Sequence, residues 1–139
     1  MKKIMLIGTF TAAVLFSAVG DGAAQERRLS SASTDFRTFY AKFIAAVHRG
    51  DMAVVASMTS FPLTYGFDAG DEGKYTRKEF MTKGFRRMFG RSPGKFLSEK
   101  NPVISLVGKS YTVSTRDAAH LVFTKGGNRY FFSDYLVEP

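Results

Sequence analysis

The chain has 139 residues, 45% of them hydrophobic, with 14 phenylalanines, no cysteine and a formal net charge of +8. The lack of cysteine excludes disulfides, lipid attachment through cysteine and a thiolate metal site, so the fold must be held by its apolar core. The roughly 115 residues that follow the N-terminal segment are enough for one ordinary domain.

That segment, "MKKIMLIGTFTAAVLFSAVGDGAAQ", has Lys2 and Lys3, then an apolar run from Ile4 to Gly20, then small residues. It predicts a secretory signal peptide over residues 1–24, cut after Ala24. The competing reading is an uncleaved anchor, for which the run from Ile4 to Gly20 is short. Either reading predicts an exported protein, periplasmic or secreted, and cleavage leaves no integral membrane domain. Residues 25–33, "QERRLSSAS", read as a flexible leader or the fraying start of a helix, and 34–139 as a single domain. Removing Lys2, Lys3 and Asp21 lowers the net charge only to +7.

Phe36, Phe39, Tyr40, Phe43, Ile44 and Val47 recur at helical spacing and predict an amphipathic helix from about Asp35 to Arg49. Arg49-Gly50-Asp51 is the tripeptide of cell adhesion, but its chemistry fits a connector between helices. Glycine closes a helix in the left-handed conformation, and Asp51 can cap a second helix running to about Thr59. Phe61-Pro62 should end it. "PLTYGF" alternates as a strand with Leu63, Tyr65 and Phe67 on one face, "DAGDEG" reads as a turn, and "KYT" as a short extended piece.

"TRKE" is a capping box, with Thr76 as N-cap and Glu79 at N3. In the helix that it opens, Met81, Phe85, Met88 and Phe89 share one arc and Lys83, Arg86 and Arg87 the opposite one. "GRSPGKFLSEKNP" breaks that helix and leaves room for one turn around Phe96 and Leu97. From Val103 the chain reads as strands, ending in "AHLVFTK" and "RYFFSDYLV" joined by "GGN", a three-residue hairpin loop.

The run "FRTFYAKFIAAVHRGDMAVVASMTSFPLTY", followed by "TRKEFMTKGFRRMF" and a closing hairpin, resembles the NTF2-like superfamily, in particular its small secreted bacterial members. The resemblance covers roughly residues 34–137. It implies an α+β fold in which N-terminal helices pack on a curved antiparallel sheet, forming a cone with a pocket. It leaves function open, since members use that pocket for catalysis, ligand binding or protein contacts.

No motif demands a cofactor or a metal. "DAGDEGKY" misses a phosphate-binding loop at Asp68 and Tyr75, Asp68, Asp71 and Glu72 lack EF-hand spacing, and two histidines without cysteine make a poor zinc site. The leading expectation is a non-enzymatic extracytoplasmic module that holds a small ligand or an envelope protein, with Tyr40, Tyr65, Tyr130 and Phe132 as candidate pocket residues. The second is a small isomerase- or dehydratase-type enzyme with an acid/base pair in the cone. If "GGN" is the whole loop, His120 faces Asp134 across the terminal hairpin and supplies that pair. A two-residue turn would set His120 against Tyr135 instead. The third is a binder of anionic polymers or lipid headgroups. Residues 74–100 carry nine basic side chains against Glu79 and Glu99, and Lys83, Arg86 and Arg87 are the candidate contacts.

Overall fold

Local signals account for the first helices in the computed structural model, which describes residues 27–138; the predicted signal peptide and its cleavage site lie outside the described residues. Helix α1 spans Thr34–His48, with the Ser33 side chain accepting from the backbone N–H of Phe36 at 3.2 Å. Gly50, at φ +68°, lies between α1 and helix α2 (Met52–Ser57), and the Asp51 side chain caps α2 by accepting from Val54 N–H at 3.2 Å. The adhesion tripeptide is thus a helix connector whose glycine and aspartate both have structural roles.

Seven strands form one sheet in the order β1-β4-β5-β6-β7-β2-β3. They are β1 (Arg27–Arg28), β2 (Thr59–Asp68), β3 (Asp71–Tyr75), β4 (Val103–Val107), β5 (Ser110–Ser114), β6 (Ala119–Gly126) and β7 (Arg129–Val137). The chain is therefore α+β, but the sheet is mixed and not wholly antiparallel. β2 runs parallel to β7, because the chain crosses back to β2's free side only after the third helical segment and the meander from β4 to β7. Pro62, whose peptide bond to Phe61 is cis, falls where that parallel ladder shifts register, between Thr59 and Thr64. A residue with no N–H is tolerated at such a break.

Within the leader, Arg27 and Arg28 pair with Ile104 and Val103 as β1, and Leu29 N–H donates to the Pro102 carbonyl at 3.0 Å. Two further expectations are corrected. The acidic turn shrinks to Ala69-Gly70, because Asp71, Glu72 and Gly73 pair with β2. The terminal hairpin turns through Gly127 and Asn128 alone, with Gly126 paired to Arg129 and Gly127 at φ +64°.

The capping box is present: Glu79 N–H donates to Thr76 Oγ1, and Thr76 N–H donates to the Glu79 carboxylate. The helix does not keep a 100° step, however. Between α3 (Arg77–Glu79) and α4 (Phe85–Phe89), residues Phe80–Gly84 form a π-helical turn. The wider turn rotates the packing face, so Phe80 and Gly84 are buried and Met81 only half so. Gly84 lies flat on Tyr75, and a Cβ there would come within 2.9 Å of that ring. The further turn in the following loop is a 3-10 turn at Pro93–Lys95, just before Phe96.

Aromatic rings from both layers meet in the core. Phe36 stacks on Tyr111 at 4.1 Å between centroids, and Phe43 contacts Phe123 at 5.0 Å and Phe132 at 5.1 Å. Phe89 joins them from α4, and Tyr135 Oη donates to the Met88 carbonyl. Along β5 and β6 the side chains alternate. Tyr111, Val113, Leu121 and Phe123 are buried, while Ser114, His120 and Thr124 stand half-buried on the other face.

Candidate functional site

The four aromatic candidates do not line one pocket. Tyr40 is 3% exposed between Phe36 and Phe123, and Phe132 is fully buried, so both fill the interior. The Tyr40 hydroxyl has no hydrogen-bond partner among the described residues, and burial, seconded by the charge of Glu99, raises its pKa. Tyr65 is stacked on Tyr75 with centroids 4.2 Å apart. Tyr130 faces a cleft of about 370 Å³ shared with Asp35, Phe39, Lys42 and Arg129.

His120 and Asp134 are not partners. The two-residue turn, together with a register shift between Val122 and Phe123, pairs Asp134 with Val122 and sets His120 opposite Leu136. The extra residue is Ser133, whose hydroxyl donates to the Asp134 carboxylate at 2.8 Å and lies 2.9 Å from Thr124 Oγ1. His120 instead has Ser114 Oγ 2.9 Å from Nδ1 and the Glu138 carboxylate 3.1 Å from Nε2, the latter an ion-pair approach without hydrogen-bond alignment. This hydroxyl–imidazole–carboxylate row edges a cleft of about 530 Å³ with Arg28, Glu99 and Arg116. The β5–β6 pairing opposes Ser114 to His120, and neither Ser114 nor Glu138 was singled out in the sequence.

The basic triad also divides. Arg87 pairs with Asp71, and its guanidinium lies 3.8 Å over the Phe67 ring, while Lys83 lies 5.9 Å from the Tyr75 ring. Arg86 points elsewhere, into a cleft of about 380 Å³ that it lines with Arg49, Arg91, His48, Met52, Phe85 and Pro93. Arg49, Arg86 and Arg91 form no ion pair among the described residues, and no carboxylate lines the cleft. Two contacts bring the walls together. His48 Nε2 donates to the Phe96 carbonyl, and the Gly50 backbone faces the Pro93 ring. Arg49 lies outside the basic segment, so charge counting along the chain passes over it.

Among the described residues no three or more His, Asp or Glu side chains are placed to hold a metal ion, and no helix is long and apolar enough to cross a membrane. Comparison with family models, curated proteins and solved structures finds no match to this chain.

Proposed function

We propose that the chain is an exported binding module of NTF2-like architecture that works through surface clefts and not through an acid/base site in its interior. The observation that carries this reading is the filling of the space between α1 and the sheet. Phe36, Phe43, Phe123 and Phe132 are each 0% exposed and touch ring to ring, so the core is packed with the groups that would have to line a pocket. The basic start and apolar run of residues 1–24 support export. The order long helix, short helix, strand pair, helix and closing meander supports the NTF2-like assignment.

Ser114, His120 and Glu138 favour a second reading, a small surface acid/base centre, since the imidazole there is held between a hydroxyl and a carboxylate. Native mass spectrometry of the protein purified from its producing cell separates the two. A binding module shows a retained molecule or partner that high salt or mild activation removes. Recovery of a bare chain, with no partner found after crosslinking in the intact cell envelope, would contradict the binding reading.

A further inference from the structure

We infer that the cleft between the end of α1 and the end of α4 binds a phosphate ester, with Arg49, Arg86 and Arg91 holding the phosphate and Met52, Phe85 and Pro93 receiving an adjoining apolar part of the ligand. This rests on the surface-binding reading above and names its site and ligand chemistry.

Cations are favoured at helix C-termini, which accounts for Arg49 at the end of α1 and Arg91 just past α4 taken singly. It does not account for three arginines lining one concavity with no carboxylate among them. Like charges gathered in this way repel, and the fold does nothing locally to relieve them. Asp51, next but one to Arg49, is turned to the Val54 N–H, Asp71 is held by Arg87, and Glu99 is placed near Arg28 and Arg116. An anion from outside is the missing counter-charge.

A guanidinium fork matches two oxygens of a carboxylate or of a phosphate equally well, but the three free oxygens and greater charge of a phosphate monoester can engage more than one fork at once, which a lone carboxylate or a halide cannot do as fully. The cleft, of about 380 Å³ and open to solvent, leaves room beside a bare phosphate. Beside the arginines the lining holds His48, whose Nε2 donates to the Phe96 carbonyl, and an apolar group of Met52, Phe85 and Pro93, with Phe85 buried and Met52 38% exposed. A phosphate joined to a short apolar group fits both halves. A phospholipid headgroup and a soluble phosphoester share that chemistry.

The test uses protein expressed from the full-length gene and purified as the cell delivers it. Inorganic pyrophosphate is titrated while the arginine side-chain Nε–Hε resonances are followed by NMR. Flotation is measured with vesicles of phosphatidylglycerol and, separately, of phosphatidylcholine. Pyrophosphate should saturably shift Arg49, Arg86 and Arg91, added salt should weaken the binding, and Arg49→Gln/Arg86→Gln/Arg91→Gln should lower affinity by about tenfold or more. All three side chains are exposed, and the single change Arg86→Glu gives the same readout should the triple variant fail to fold.

Flotation with phosphatidylglycerol alone, lost in the variant, assigns the lipid source; pyrophosphate binding without flotation assigns a soluble phosphoester. Unmoved arginine resonances, or equal affinity in wild type and variant, overturn the site. A retained natural ligand that maps to another cleft overturns it too, while leaving the binding-module reading intact.

Discussion

Arg87 lies with its guanidinium 3.8 Å over the ring of Phe67 while pairing with Asp71, so one side chain joins α4 to both strands of the β2–β3 hairpin. Arg86, its neighbour in sequence, touches neither. Charge alone makes the two equivalent; geometry does not.

Arg87→Gln should therefore lower stability by about 1 kcal/mol, the combined scale of an exposed ion pair and a cation–π contact. Arg86→Gln should change it by less than about 0.5 kcal/mol, as surface substitutions do. Denaturant unfolding of the two variants checks this, and equal losses would mean that Arg87 is not a structural tie.

Asp51→Ala should cost about 1 kcal/mol by removing the cap on α2, and Asp51→Asn much less, since asparagine caps as well. Gly50→Ala should also destabilise by roughly 1 kcal/mol, because φ +68° is strained for alanine. Thermal unfolding measures both. Attachment of animal cells to the immobilised protein, lost on Asp51→Glu, would count against the connector reading.

These parts were legible because their causes are local. The α1 stripe, the Asp51 cap and the Thr76–Glu79 box each sit within a few residues, and each appears where the sequence puts it. What was not legible depends on distant partners or on irregular steps. Nothing near Arg27 announces Ile104, nothing in "FMTKG" announces a π-turn, and the register of His120 depends on a bulge at Ser133. The basic cleft is illegible for the same reason. Arg49 reaches Arg86 and Arg91 only when α1 packs against the Pro93–Lys95 turn. The interior was misread differently: the stripe correctly marked Tyr40 as inward, but an inward aromatic is as readily packing as pocket lining.

Glu79 is held below the ordinary carboxylate range, first by the hydrogen bond it accepts from Thr76 N–H. Its folded-state pKa is thus lower than its unfolded one. The capping box contributes fully above the unfolded pKa, and that contribution is lost as pH falls through the folded pKa. Protection of the α3 amides from hydrogen exchange, corrected for intrinsic exchange rate, should weaken over that acidic window. Glu79→Gln should flatten the dependence, and an identical profile in the variant would remove the carboxylate as its cause.

His120 should couple energetically to Glu138 and not to Asp134. In double-mutant cycles built from alanine substitutions and measured at a pH acidic enough to protonate imidazole, the His120–Glu138 coupling should be about 0.2–1 kcal/mol, the scale of an exposed ion pair, since Glu138 is 70% exposed. The His120–Asp134 cycle should close to within about 0.3 kcal/mol. The reverse outcome would restore the register of a three-residue "GGN" loop.

The filled interior is the feature on which the functional account depends most directly. It is tested by aromatic-ring NMR of the protein as purified with whatever it retains, compared with the same protein after that molecule has been stripped. The account predicts shift changes confined to residues lining surface clefts, with the rings of Phe36, Phe43, Phe123 and Phe132 unchanged. Large changes at those four rings would put the ligand inside the core and contradict it.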